Sequence, residues 1–68
     1  MKKWINVYKS DNQYRAEIVK AVLEDNDLPA VLVNKKDRIY HLGYYEVHVS
    51  PDDVWKALKI ISDDITFE

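Results

Sequence analysis

Three cations stand close together in VNKKDRIYHLG, the segment at residues 33–43. Arg38 can bind a carboxylate or a phosphate through two parallel hydrogen bonds, and Lys35 and Lys36 would add point charges. The favoured interpretation is a hairpin connection, exposed to solvent over residues 34–43, whose lysines keep an edge strand from pairing with other chains. The alternative is a turn that binds a small anion and serves as a ligand sensor.

Glu46 and His48 form a second candidate group, because residues two apart in a strand point to the same side of a sheet. Such a pair could hold a metal ion or pass a proton. His41 lies seven residues before His48, but the sequence offers no third ligand with fitting spacing. We therefore expect no metal and no other cofactor.

Catalytic motifs are missing from the sequence. There is no cysteine and no Gly-x-Ser-x-Gly elbow, and a single glycine excludes a P-loop or a dinucleotide fingerprint. The acidic pairs at 52–53 and 63–64 lie at predicted helix ends, where the helix dipole and solvent account for them. The chain is not expected to be an enzyme.

Composition limits the remaining classes of protein. The 68 residues, 47% hydrophobic and 32% charged, are typical of one ordered domain spanning residues 1–68. A net charge of −2 argues against a nucleic-acid partner. No apolar run approaches the roughly 20 residues that span a membrane, and the start of the chain lacks the apolar region of a signal peptide. We expect a cytoplasmic protein without a membrane partner.

Three strands are predicted from residues that alternate between two faces of a sheet, in KWINVYK, PAVLVN and YYEVHVS. The residues expected to face the core are Ile5, Val7, Tyr45, Val47 and Val49. The residues expected on the uncovered face are Trp4, Asn6, Tyr8, Tyr44, Glu46 and His48, with Leu32 joining them from the edge. Gly43 is expected at a bulge or in a left-handed conformation. Whether ITFE, at 65–68, adds a fourth strand is left open.

Two helices are predicted between and after these strands. The first spans residues 11–25, with Ser10 or Asp11 as its cap and Asn26 as the left-handed residue that follows it. Its buried stripe is expected to comprise Tyr14, Ile18, Ala21 and Val22, widened by Val19 and Leu23. The second begins at Ser50 and Pro51. Its inner stripe is expected to comprise Val54, Ala57, Leu58 and Ile61.

The order β-α-β-β-α-(β) predicts an α+β fold of the ferredoxin-like, split β-α-β type. Both helices would cover one face of an antiparallel sheet whose first and third strands are central. The expected helix contribution to the core is Ile18, Val22, Leu58 and Ile61.

The pattern RAEIVKAVLEDNDLPAVLVNKKD..Y...G..EVHVSPDDVWKAL resembles the family called DUF2007, small bacterial proteins described as signal transducing. The likeness covers nearly the whole chain, and NKKD at 34–37, with Tyr40 and Gly43 following, is its best local match. The resemblance implies a ferredoxin-like fold similar to PII-type nitrogen regulators. The name of the family reflects that similarity of fold, so the implied function is a non-enzymatic binding or regulatory module.

The uncovered face of the predicted sheet is the most informative surface, because its aromatic residues are unusual for a solvated face. A second copy of the chain, or an unidentified protein partner, would cover it, since large apolar patches on small monomers usually mark interfaces. We expect a homo-oligomer, with a two-fold dimer as its simplest form. The alternatives are an ordinary half-exposed face and a platform that stacks RNA bases, against which Glu46 and the negative net charge argue.

Overall fold

The computed structural model describes residues 3–37 and 42–65. The chain forms β1 (Ile5–Ser10), α1 (Gln13–Asp25), β2 (Ala30–Asp37), β3 (Leu42–Val49), a 3-10 turn (Pro51–Asp53) and α2 (Val54–Asp64). The described strands make one antiparallel sheet in the order β1-β3-β2. The protein is therefore a small α+β domain with β1 and β3 as neighbours, as predicted. Residues 66–68 lie outside the described part of the chain, so the question of a fourth strand at 65–68 stays open.

Asn12, not Ser10 or Asp11, caps α1. Its side-chain oxygen accepts hydrogen bonds from the backbone N–H groups of Tyr14 at 2.9 Å and Arg15 at 3.3 Å. Ser10 Oγ instead accepts from the N–H of Asn12 at 3.0 Å. Both oxygens satisfy donors that have no partner within the helix. The helix consequently begins two residues later than predicted, at Gln13.

Beyond the C-terminus of α1, the left-handed residue is Asp27, with φ 63°, and not Asn26. Asn26 keeps a negative φ and closes the helix through its side-chain amide, which donates to the carbonyl of Val22 at 2.8 Å. Aspartate tolerates the left-handed region better than most residues. The chain then turns back so that the N–H of Leu28 donates to the carbonyl of Leu23 at 2.9 Å, and both side chains are buried.

The buried side of α1 differs from the predicted stripe. Ala16, Val19 and Leu23 are fully buried, whereas Tyr14 is 70% exposed and Ala21 is exposed. Apolar residues occupy most of the circumference of this helix, so helical spacing alone fits more than one stripe. The sheet selects the side that presents Ala16, whose small side chain allows a close approach of helix and sheet. The predicted core residues on this helix, Ile18 and Val22, are only half-buried.

A β-bulge in β1 changes which residues face the core. Ile5 pairs with Val49, but Tyr8 pairs with Val47, so one extra residue, Val7, lies between the paired positions. The side-chain oxygen of Asn6 accepts from the N–H of Tyr8 at 3.1 Å across the bulge. Val7 and Tyr8 both pack against the core. The prediction that Tyr8 lies on the uncovered face is therefore wrong, because the bulge breaks the alternation that it assumed.

Leu32 was also assigned to the wrong side of the sheet. It pairs with Val47 and packs against the core, so its neighbours Val31 and Val33 point away from the helices. PAVLVN is apolar at nearly every position. Its composition therefore does not determine which of its two faces the helices cover.

The hairpin between β2 and β3 is tighter than predicted. Strand pairing continues from Ala30–Val49 to Asp37–Leu42, so Lys35 and Lys36 belong to a strand and not to a turn. The connection is limited to residues 38–41, which lie outside the described residues. Gly43 pairs with Lys36 without a positive φ, so the expected bulge or left-handed glycine is not found there.

The helix α2 begins at Val54, three residues later than the predicted first helical residue, Pro51, and its core stripe is rotated slightly from the predicted one. The carbonyl of Ser50 accepts from the N–H of Asp53 at 2.9 Å in the 3-10 turn that leads into it. Ala57 is fully buried and Ile60 packs against the core, whereas Leu58 is 41% exposed. The expectation that Leu58 is a core residue is wrong. A small rotation of the helix exchanges Leu58 for Ile60, and apolar spacing permits both orientations.

One hydrophobic core joins both helices to the sheet. The buried apolar residues are Ala16, Val19, Leu23, Leu28, Ala30, Val47, Val49 and Ala57. Because α1 and α2 both contribute to this cluster, they lie on the same side of the sheet, as predicted, and the opposite side carries no helix among the described residues. Ile5, predicted to be in the core, is half-buried at the end of the sheet.

Candidate functional site

The side of the sheet that points away from the helices is the candidate functional site, and we call it the open face. The observed register places on it Asn6, Lys9, Val31, Val33, Lys35, Tyr44, Glu46 and His48, and alternation with Ile5 adds Trp4. Four of the six residues that the sequence assigned to the interface therefore remain there: Trp4, Tyr44, Glu46 and His48. Tyr8 and Leu32 lie on the other side.

A hydrogen-bonded pair occupies the middle of the open face. His48 Nε2 lies 2.9 Å from Glu46 Oε1, and the two side chains are 17% and 14% exposed. Asn6 and Val31 flank His48 on the neighbouring strands. Each polar group thus has a partner within the chain, which removes much of the free-energy cost of excluding water from this part of the surface.

The two ends of the open face differ in character. At one end, Lys9 Nζ lies 4.2 Å from the centroid of the Tyr44 ring, a cation–π contact, and Lys35 pairs with Tyr44 from the other side. At the opposite end, Trp4 is 43% exposed and Val31 is 38% exposed. The face therefore combines an apolar end, a centre occupied by the Glu46–His48 pair and a cationic end.

The predicted anion-binding group is not assembled by the described residues. Lys35 and Lys36 are both exposed, but as consecutive residues of β2 they point to opposite sides of the sheet. Lys35 lies beside Tyr44 on the open face, and Lys36 lies on the side of the helices. Arg38, the third member of the group, lies outside the described residues.

The described residues contain neither a metal-binding cluster nor a membrane-spanning helix. Within residues 3–37 and 42–65, no group of three or more histidine, aspartate and glutamate side chains could hold a metal ion. Glu46 and His48 together supply two ligands, fewer than a structural zinc site needs. No helix in that part of the chain has the length and apolar character needed to cross a membrane.

Two aromatic residues on the helices are exposed although the sequence analysis did not predict it. Trp55 of α2 is 84% exposed and Tyr14 of α1 is 70% exposed. The exposure of Trp55 could have been predicted from the sequence. A core stripe through Val54, Ala57 and Ile61 leaves Trp55 on the outer side of the helix. For Tyr14, the predicted stripe was placed on the wrong side of α1.

The fold and the open face define a class of small α+β domain with a β-α-β-β-α order and one sheet face free of helices. A family model described as "Putative prokaryotic signal transducing protein" (DUF2007) matches residues 4–63. The chain belongs to this family, which confirms the resemblance found in the sequence. Comparison with curated proteins and with solved structures gave no match.

Proposed function

We propose that this protein is a non-enzymatic binding module of ferredoxin-like arrangement, similar to PII-type proteins, that acts in signal transduction. We further propose that it works as a homodimer whose copies meet through the open face. The strand order β1-β3-β2, with both helices on one side, supports this arrangement.

The observation that carries the proposal is the exposed apolar end of the open face. Trp4 and Val31 are partly in water, although a side chain of this kind gains about 1.5–3 kcal/mol when it is fully buried. A domain of 68 residues without cysteine has few other sources of stability. Burying these residues in both copies at once would supply part of that stability.

The polar centre of the open face is compatible with such a contact. Glu46 and His48 already hydrogen-bond to each other, so covering them would not leave an isolated charge without a partner. The amino groups of Lys9 and Lys35 stand on the outer strands, where long side chains can keep their charges in water. A two-fold axis would let one surface meet its own copy.

A binding role also fits the surroundings of His48, the residue best suited to acid–base chemistry. Its Nε2 is engaged by Glu46, and its cross-strand neighbours are Asn6 and Val31, neither of which is a nucleophile. The support for a binding role is that no nucleophile stands beside this pair on the neighbouring strands.

Analytical ultracentrifugation of wild-type protein, Trp4→Glu and Tyr14→Glu tests the proposal. Tyr14 is the matched control, since it is an exposed aromatic residue on the side of the helices. We expect a dimer for wild type and for Tyr14→Glu, and a monomer for Trp4→Glu, because the new carboxylate would be buried unpaired in the contact. A wild-type monomer at high micromolar concentration would contradict the proposal.

A second candidate function is binding of an anionic ligand, such as single-stranded nucleic acid, at the cationic end of the open face. Lys9 and Lys35 flank the Tyr44 ring, and aromatic rings beside cations suit stacked bases and phosphates. Fluorescence anisotropy with a labelled oligonucleotide tests it. Binding that weakens steeply with salt, and that is lost in Lys9→Gln, would support it over dimerisation.

A further inference from the structure

A carboxylate and an imidazole lie together at the middle of the open face. Glu46 Oε1 and His48 Nε2 are 2.9 Å apart, and the two side chains are 14% and 17% exposed in the single chain. Histidine is the side chain that ordinarily gains or loses its charge between about pH 5 and pH 8. The pair therefore carries one net negative charge when the imidazole is neutral and no net charge when the imidazole is protonated.

Lysines are the other charged side chains that the structure describes on the open face, and they stand at one end of it. Lys9 on β1 pairs in register with Glu46, but its amino group lies over the Tyr44 ring, 4.2 Å from the ring centroid. Lys35 on β2 is the other cross-strand neighbour of Tyr44. Both lysines are exposed, so their charges stay in water and are screened by salt.

Among the described residues, the rest of the surroundings of His48 carries no charge. On the neighbouring strands, Asn6 and Val31 flank the imidazole, and neither side chain titrates. The helices α1 and α2 pack on the opposite side of the sheet, so neither helix presents a described charged group to the pair. The protonation of His48 therefore decides the charge of the part of the open face that is shielded from water.

We propose that the Glu46–His48 pair makes self-association through the open face depend on pH, and that protonation of His48 favours the dimer. This dependence rests on the proposed function, since a second copy over the open face removes the remaining water from the pair. A covered carboxylate loses hydration, and a neutral imidazole returns a single uncharged hydrogen bond. An imidazolium returns a charge-assisted hydrogen bond, and its attraction for the carboxylate strengthens as water leaves. A two-fold axis also brings two such pairs into one contact, where two net negative charges would repel each other.

The direction of the pH dependence follows from proton uptake. The dimer binds more protons than two separate chains, so acidification favours it, and the additional affinity is lost as the pH rises and His48 loses its proton. Each proton taken up per dimer changes the dissociation constant about tenfold per pH unit while the imidazole titrates. The window is about pH 5–8, the range in which histidine titrates.

Sedimentation equilibrium of the full chain at about pH 6 and about pH 8, at one ionic strength, tests the proposal. We expect a dissociation constant about tenfold or more lower at the acidic pH for wild type. His48→Gln keeps an N–H donor for Glu46 but cannot be protonated, so its dissociation constant should be the same at both pH values. His41→Gln removes the other histidine of the chain and is the control that should keep the wild-type dependence. Glu46→Gln leaves a protonated His48 without a counter-ion, so acid should weaken that dimer.

Two results would overturn the pH dependence and leave the proposed function intact. One is a wild-type dimer that is equally stable at both pH values, and the other is a pH dependence that persists in His48→Gln. A wild-type monomer at both pH values, or a dimer that Trp4→Glu does not dissociate, would instead refute the proposed function and this inference with it.

Dilution calorimetry of wild-type protein provides a test that needs no folded variant. Dissociation should release protons, so the measured heat should differ between two buffers of different ionisation enthalpy. Equal heats in the two buffers would show that dimerisation takes up no proton. Circular dichroism of each variant verifies folding.

Discussion

Two leucines, one on each helix, test the observed packing against the alternative that apolar spacing also permits. Leu23 is fully buried, whereas Leu58 is 41% exposed. Truncation of a fully buried leucine to alanine costs about 2–5 kcal/mol, because burial is lost and a cavity remains. A domain of this size rarely has more than about 3–5 kcal/mol of stability, so Leu23→Ala should be largely unfolded. Leu58→Ala removes atoms already partly in water, and its cost should be about 1 kcal/mol.

Thermal and urea denaturation followed by circular dichroism measure this difference. A loss of 1 kcal/mol lowers the melting temperature of a domain of about 60–100 residues by about 4–8 °C, so Leu58→Ala should still melt cooperatively. The two variants delete the same atoms, and each therefore controls for the other. Equal losses, or a larger loss for Leu58→Ala, would show that α2 docks through the side that carries Leu58 and would refute the observed orientation.

Three further predictions concern local structure. Asn12→Ala should cost about 0.5–2 kcal/mol in chemical denaturation because it removes the cap of α1, whereas Asp11→Ala should be nearly neutral. Gly43→Ala should fold normally, since an added Cβ would lie 3.9 Å from the Lys35 carbonyl oxygen; a large loss of stability would contradict the strand register. Hydrogen exchange should be slow at every second backbone amide of residues 30–36. The reason is that β2 is an edge strand, and only one of its two edges hydrogen-bonds to β3. Protection of every amide there would mean that the outer edge of β2 is also paired.

The order of the elements could be predicted from the sequence because period two and helical spacing are local properties. Ser50 and Pro51 marked the 3-10 turn that leads into α2, and Pro29 marked the limit of α1. The family could also be predicted, because it depends on a pattern that runs along nearly the whole chain. None of these inferences requires knowledge of how one element packs on another.

The side that each element presents to the core was harder to predict. The stripes of α1 and α2 were each rotated, since both helices have apolar residues on more than one side and the sheet decides which is covered. Tyr8 changed sides because of a one-residue bulge, and Leu32 because its strand is apolar on both faces. Two of the six residues assigned to the open face were affected in this way. The pair Glu46–His48 was predicted correctly to share a face, but the 2.9 Å contact between them depends on side-chain conformation.

The measurement that tests the central claim most directly is an isotope-filtered nuclear Overhauser experiment on a mixture of labelled and unlabelled copies. Such a spectrum contains only contacts between two different chains. Self-association through the open face predicts signals from the methyl groups of Val31 and Val33 and from the Trp4 ring. Intermolecular signals that are missing at high concentration, or that come from Trp55 and Leu58 instead, would contradict the claim that the open face joins two copies.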